Sequence, residues 1–175
     1  GAHAVTGVAA APGTSEAELL ALASAAEADS EHPVARAIVA AAAEHPGASG
    51  MRRRGTDFSA ATGRGVRATV DGSTIQVGGP TLLRELGLET PSALAKQTQS
   101  WSGRGAGVLH VIRDGEVIGA VAVEDKVRPE SRAAVKALQD RGVRVAMVTG
   151  DARQVAEAVG AELGIDEVFA EVLPQ

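Results

Sequence analysis

Two segments of the chain alternate apolar and polar residues with the period of two that is typical of β-strands. They run from Gly65 to Gly78 and from Gly107 to Asp125, and each contains an Asp-Gly pair, Asp71-Gly72 in the first and Asp114-Gly115 in the second. An Asp-Gly pair favours the positive φ angles that a tight turn between antiparallel strands requires. The pattern therefore predicts two β-hairpins.

Helical patterns precede and separate these hairpins. Ser15 and Glu18 have the spacing of a capping box, which marks the start of a helix. Pro33 suits the first turn of another helix, because that position has no intrahelical N–H bond to lose. The predicted helices cover about Glu16 to Ala28, residues 33–44, Pro80 to Leu86 and Pro91 to Ser100. The first part of the chain is thus predicted to be an α+β domain, an antiparallel twisted sheet flanked by helical hairpins.

The pattern changes after Val123. An amphipathic helix is predicted from Pro129 to Asp140, followed by a nearly all-apolar strand from Val143 to Gly150, another helix and a further strand. Strands that are apolar on both faces and alternate with helices indicate a parallel sheet covered on both sides. We therefore predict two domains, an α+β domain at residues 1–124 and a partial α/β domain at residues 125–175.

Composition excludes several classes of function. The formal net charge is −5 and the basic residues cluster only at Met51 to Gly55, so we expect no nucleic-acid or anionic-membrane partner, because these are bound through basic surfaces. The absence of cysteine excludes disulfides and thiolate chemistry and fits a reducing, cytosolic compartment. No apolar run approaches the ~20 residues that span a bilayer, so the chain itself is expected to be soluble. No metal-binding residues are predicted in it.

A candidate anion site lies at the end of the predicted apolar strand. Thr149 and Gly150 stand where this strand ends, and Asp151 is placed to cap the following helix. Free backbone N–H groups and the positive end of a helix bind anions at such points of open α/β sheets. A plain helix cap is the alternative interpretation.

Glycine pairs form a second group of candidates. Gly63 and Gly65 would let the backbone approach a flat or charged ligand, or would only allow a turn, and Gly78 and Gly79 form another pair. None of them follows a strand and opens a long helix, as a dinucleotide fingerprint does, and none precedes the Gly-Lys-Ser/Thr of a Walker loop. Both of these motifs are excluded.

His32 stands just before the proline of the second helix, and acidic residues precede it at Glu27, Asp29 and Glu31. A cationic ring is disfavoured at a helix N-terminus, so the imidazole is predicted to be neutral. A neutral imidazole can stack on a base and still exchange hydrogen bonds. A surface histidine without a ligand is the alternative, and Trp101 is predicted to be a packing residue.

Taken together, several motifs resemble one family. Ser-Glu-His-Pro at residues 30–33, Gly-Arg-Gly at residues 63–65 and Thr-Gly-Asp at residues 149–151 occur here in an order similar to that of the cytoplasmic ATP-binding portion of heavy-metal-transporting P-type ATPases, the copper-pump type in particular. The resemblance implies that His32 helps to hold the adenine of ATP and that Glu27 is its partner on the base.

The same resemblance assigns the glycines. Gly63 and Gly65 would keep the wall beside the nucleotide free of side chains, and Gly78 and Gly79 would belong to the same pocket. Many copper pumps have asparagine where this chain has Gly79, so one polar contact to the nucleotide is expected to be lost or replaced.

The resemblance also implies a larger protein. In such pumps the nucleotide-binding domain is inserted into a haloacid dehalogenase-like phosphorylation domain, of which residues 125–175 would be a fragment. Thr149, Gly150 and Asp151 would contact the phosphoryl group in the intact pump, where Mg²⁺ also acts. The Asp-Lys-Thr-Gly-Thr motif with the phosphorylated aspartate does not occur in this sequence, so we expect ATP binding without turnover.

The partners implied by the resemblance are ATP and other parts of the same pump. These parts are the rest of the phosphorylation domain, the actuator domain and the transmembrane helices, with this chain on the cytoplasmic side of the plasma membrane. Copper or silver is the expected cargo, and zinc, cadmium and cobalt are the alternatives.

Two other functions remain open at the level of sequence. A free-standing haloacid dehalogenase-type phosphatase with a cap domain would need a nucleophilic aspartate and a second aspartate two residues later, but Val127 occupies that place after Asp125. A regulatory domain that kept the fold without catalysis is the other alternative. Intact Glu27, His32, Gly63 and Gly65 argue against it.

Overall fold

The computed structural model describes residues 3–51, 53–126, 129–148 and 152–171. The predicted anion site at Thr149, Gly150 and Asp151 lies outside these residues.

A six-stranded sheet dominates the first part of the chain. Its strands are β1 (His3–Ala10), β2 (Gly55–Ala61), β3 (Gly65–Val70), β4 (Ser73–Gly78), β5 (Gly107–Arg113) and β6 (Glu116–Asp125). Their order is β1-β6-β5-β4-β3-β2, and every neighbouring pair is antiparallel. Both predicted hairpins are confirmed. At each turn the aspartate and the glycine have positive φ angles, 50° and 79° at Asp71 and Gly72 and 48° and 81° at Asp114 and Gly115.

Two pairs of helices cover the two faces of this sheet. They are α1 (Glu16–Glu27), α2 (Pro33–Glu44), α3 (Pro80–Leu86) and α4 (Ser92–Gly103). Leu19 and Ile38 of the first pair pack with one face, and Leu94 and Trp101 of α4 pack with the other, each in its own hydrophobic core. Alternation along the strands divides their side chains between the two cores. The predicted α+β class and the packing role of Trp101 are thereby confirmed.

In the large sheet and its helices the sequence patterns were wrong or incomplete at several places, and neither edge strand, β1 or β2, was predicted. Strand β2 was not predicted, because it lies at the sheet edge, is mostly exposed and contains a register shift near Asp57, which has a φ of 52°. Helix α4 continues to Gly103 instead of ending at Ser100. Only half of the predicted capping box forms, since Ser15 accepts from the Glu18 N–H at 3.1 Å while the Glu18 carboxylate binds Arg113.

A smaller unit follows β6. It consists of α5 (Pro129–Asp140), β7 (Ala146–Val148), α6 (Arg153–Leu163) and β8 (Glu167–Phe169), and β7 and β8 pair in parallel as predicted. The expected long strand from Val143 is wrong, because regular pairing begins only at Ala146. The domain boundary between residues 124 and 125 stays a prediction, although the two sheets share no strand among the described residues.

The prediction that both faces of this small sheet are covered is also wrong. Helix α6 lies over one face, where Val168 Cγ2 would be 2.6 Å from a Cβ added to Gly160. The next residues along the two strands point the other way, and there Val148 is 65% and Phe169 is 50% exposed. One face is therefore open in the described chain.

No helix among the residues that the structure describes is long and apolar enough to cross a bilayer.

Candidate functional site

An open cavity of about 500 Å³ lies between the start of α2 and the strands β3, β4 and β5. This volume falls within the range of roughly 300–1,000 Å³ that is typical of small-molecule sites. The cavity brings together the six site residues that the sequence predicted in the first domain: Glu27, His32, Gly63, Gly65, Gly78 and Gly79. These residues come from four separate stretches of the chain and meet only in the folded protein.

His32 is exposed at the rim of the cavity, where it caps helix α2. Its Nδ1 accepts a hydrogen bond from the Val34 N–H at 3.2 Å, and its backbone is extended, with a φ of −61° and a ψ of 139°. Pro33 follows as the first helical residue. A ring nitrogen that accepts a hydrogen bond carries no proton, so this geometry fits the neutral ring predicted from the sequence, with its hydrogen on Nε2.

Glu27 is the last residue of α1, and its side chain is buried at the edge of the same cavity. The residue is 5% exposed, and in the described part of the chain no hydrogen bond reaches its carboxyl group. Burial raises the pKa of Glu27 from its ordinary value of 4.5 to about 7, because an ionised carboxylate loses its hydration there. An acid of this kind is half protonated near neutral pH.

The turn between β2 and β3 forms a wall of small residues. Gly63 has a φ of 77° and no other atom lies within 4 Å of the place where a Cβ would be, so this backbone faces open space. Gly65, with a φ of 84°, has no such room, because an added Cβ would overlap the Val77 carbonyl oxygen. The two glycines thus differ, since Gly63 leaves the wall bare while Gly65 allows β3 to pack against β4.

The second glycine pair also divides into two roles. A Cβ on Gly78 would lie 2.7 Å from Leu82 Cδ2 and 3.0 Å from the Arg64 carbonyl oxygen, so packing requires glycine there. At Gly79 the nearest atom is 3.8 Å away. Gly79 also caps α3 without a side-chain hydrogen bond. The structure therefore has room for a Cβ at this position, where the resemblance implies asparagine in many copper pumps.

The floor of the cavity is apolar and was not predicted. Val66, Val77 and Leu109 come from three adjacent strands, and Val34 and Ala35 come from α2. The remaining lining residues are Ser30, Ala60, Ala61 and Thr62. The alternation of the two hairpins places Val66, Val77 and Leu109 on one sheet face, but the strand order that brings them side by side could not be obtained from that pattern.

No second reactive centre is evident in the described residues. Within residues 3–51, 53–126, 129–148 and 152–171, no group of three or more His, Cys, Asp or Glu side chains could hold a metal ion. Asp125, the residue considered for the phosphatase alternative, ends β6 and lies 3.2 Å from His3 Nδ1.

Comparisons with known proteins agree with the fold. The model of the haloacid dehalogenase-like hydrolase family matches residues 3–175. A copper-transporting P-type ATPase of Rhizobium leguminosarum bv. viciae is 42% identical over 98% of this chain. The chain spans only 20% of that protein's length.

Two solved structures are similar as well. A zinc-transporting PIB-type ATPase in the E2.Pi state matches 99% of this chain and 27% of its own, with a TM-score of 0.81 and 31% identity. The N-domain of HMA8, a copper-transporting P-type ATPase, matches 68% of this chain and 98% of its own, with a TM-score of 0.54 and 30% identity. The first similarity extends over both sheets, and the second covers about two thirds of the chain.

Proposed function

The chain belongs to the haloacid dehalogenase-like hydrolase family and, within it, to the P-type ATPases, and from this premise we propose that it is the ATP-binding part of a heavy-metal pump. The observation that carries the proposal is that Glu27, His32 and the four glycines line one cavity. Copper or silver is the proposed cargo, in line with the name of the 42% identical relative.

In this proposal the apolar floor receives the adenine ring of ATP. His32 stacks on the base or binds its edge through Nε2–H, and Glu27 contacts the same base from the end of α1. The open backbone at Gly63 leaves room for the rest of the nucleotide, as nothing lies within 4 Å of its missing Cβ. Gly79 offers no side chain to the ligand.

ATP turnover is not expected from this chain alone. Thr149, Gly150 and Asp151 are proposed to contact the phosphoryl group only in the intact pump, together with Mg²⁺. The described residues provide no cluster of ligands for this ion, so its site there remains a prediction from the resemblance. The proposed partners in the pump are the remaining phosphorylation domain, the actuator domain and the transmembrane helices, with this part on the cytoplasmic side of the plasma membrane.

The affinity for ATP should be low. One stacking contact and one or two hydrogen bonds contribute about 0.5–1.5 kcal/mol each, and burial of the base on the apolar floor adds to them. After ordering costs we expect a total of about 4–5 kcal/mol, which corresponds to a Kd of roughly 0.2–1 mM. Titration of the labelled chain with ATP, followed by NMR, should move the resonances of His32 and of Gly63 to Gly65. Unmoved resonances at millimolar ATP would show the proposal to be wrong.

Two variants of His32 separate binding from helix capping. His32→Ala should weaken ATP binding about tenfold, matching ~1.4 kcal/mol, and should also lower the melting temperature, because the cap of α2 is lost. His32→Asn should weaken ATP binding similarly but keep the melting temperature, since asparagine is a good N-cap without a ring. If His32→Asn bound ATP like the wild type, the ring would have no role in recognition.

A further inference from the structure

Glu27 is an unusual choice for a residue that contacts an uncharged base. The residue is 5% exposed at the edge of the cavity, and neither a hydrogen bond nor a basic side chain among the described residues offsets that burial. The helix α1 that carries it also ends there, and the negative end of a helix disfavours a carboxylate further. A base laid over this group would exclude still more water and would favour the uncharged acid.

The other walls of the cavity offer little that could stabilise a charge on Glu27. Helix α2, the β2–β3 turn and strands β4 and β5 bring one further titratable lining residue, His32, whose Nδ1 is already used by the Val34 N–H. Asp29 and Glu31 in the same loop are exposed and acidic. Neither of these loop side chains can stabilise a carboxylate at Glu27, and solvent screens their charges because both are exposed.

The hydrogen-bonding edge of adenine matches a neutral acid. Adenine presents ring nitrogens that only accept and an exocyclic amine that donates. A protonated carboxyl group has one O–H donor and a carbonyl acceptor, whereas a carboxylate only accepts. A carboxylic acid that an apolar site keeps neutral can act as a hydrogen-bond donor.

We propose that Glu27 binds adenine as a neutral carboxylic acid, donating to a ring nitrogen and accepting from the exocyclic amine. This inference rests on the proposed function, because it assigns a protonation state to the same site. The binding step involves one proton transfer. When ATP binds to a molecule with ionised Glu27, one proton is taken up from solvent, and no covalent bond other than O–H forms or breaks.

The inference predicts the direction of the pH dependence. Since the pKa of Glu27 without ligand is about 7, the protonated fraction falls about tenfold between pH 6 and pH 8, and the affinity for ATP should fall by up to that factor. The part of this loss that Glu27→Gln abolishes belongs to Glu27, because glutamine cannot ionise.

Three variants test the proposal by calorimetric ATP titration at pH 6, 7 and 8. Glu27→Gln keeps one donor and one acceptor, as a neutral acid does, so it should bind ATP at pH 6 within about threefold of the wild type and lose no affinity at pH 8. Glu27→Ala should bind weakly at every pH. Asp29→Asn removes a charge two residues away and should keep the wild-type pH dependence.

Proton counting gives a readout that does not depend on affinity. In buffers of different ionisation enthalpy at pH 8, the wild type should take up close to one proton per ATP and Glu27→Gln none. If Glu27→Gln were as defective as Glu27→Ala at every pH, or if wild-type affinity rose with pH, the carboxylate would be the binding form and the inference would be overturned. Absence of ATP binding by the wild type at all three pH values would instead overturn the proposed function.

Discussion

At the scale of single residues, the site combines groups that are needed by the fold with groups that the fold leaves free. Gly65 and Gly78 are held by close packing, while Gly63 and Gly79 have space around them. His32 has two tasks at once, since the nitrogen that caps α2 is fixed and the other nitrogen remains free for a ligand. Substitutions in this site must therefore be interpreted with stability measured alongside binding.

Glu27 should make stability depend on pH. Its pKa rises from 4.5 in the unfolded chain to about 7 in the folded one, so its contribution to stability is fully present below pH 4.5 and is lost as the pH rises through 7. At about 1.4 kcal/mol per pH unit, the loss reaches at most ~3 kcal/mol. Glu27→Gln should thus unfold at a higher temperature than the wild type at pH 8, with the gap shrinking towards pH 5. Thermal unfolding followed by circular dichroism at both pH values measures this, and a gap independent of pH would contradict it.

The sequence predicted some residues of the site and not others. His32 stood out because a histidine is unusual at the start of a helix, whereas Glu27 and the glycines were assigned to the site by the resemblance. The apolar floor of Val66, Val77 and Leu109 did not stand out, because these residues look like ordinary core positions until the neighbouring strands are known.

At the scale of elements, local patterns predicted most helices and both hairpins. They failed where the chain lacks an alternating pattern, as in the exposed edge strand β2, and they overestimated the length of β7, although its parallel pairing with β8 was predicted correctly. Edge strands carry little periodic signal, because only one neighbour and little burial constrain them.

Contact between α1 and β6 depends on one glycine. A Cβ on Gly119 would lie 2.5 Å from Leu19 Cδ2 and 2.6 Å from the Ala9 carbonyl oxygen. Gly119→Ala should therefore lower the free energy of unfolding by about 1–3 kcal/mol, because the helix or the strand must move. Gly103→Ala is the matched control, since it meets no atom within 4 Å at the end of α4 and should change stability by less than ~1 kcal/mol. Urea unfolding followed by Trp101 fluorescence would compare them, and equal effects would contradict the close contact.

At the scale of the whole molecule, the two hydrophobic cores of the large sheet include no described residue after Val123. Residues beyond β6 touch this part, for example where Gln154 O would lie 3.1 Å from a Cβ on Gly105, but they add nothing to these two cores. The large sheet and its four helices should therefore be stable without the smaller unit.

A chain that ends at Lys126 tests this independence. We expect it to melt within a few degrees of the full chain and to bind ATP within about twofold, because both cores and the cavity are retained. Differential scanning calorimetry and ATP titration of both chains measure the two quantities. Unfolding of the shorter chain, or loss of its ATP binding, would show that the second unit supports the first.

The sequence by itself determined the turns, the helix starts, the class of the fold and the residue types that the resemblance brought together, because these depend on neighbours within a few positions or on a recognisable order of motifs. Only the tertiary structure decided that β2 completes the sheet, that Val66, Val77 and Leu109 form one floor, and that Glu27 is buried with no hydrogen-bond partner among the residues that the structure describes. The physical reason is that strand order and burial arise from contacts between distant segments, and the protonation of a carboxyl group follows from that burial.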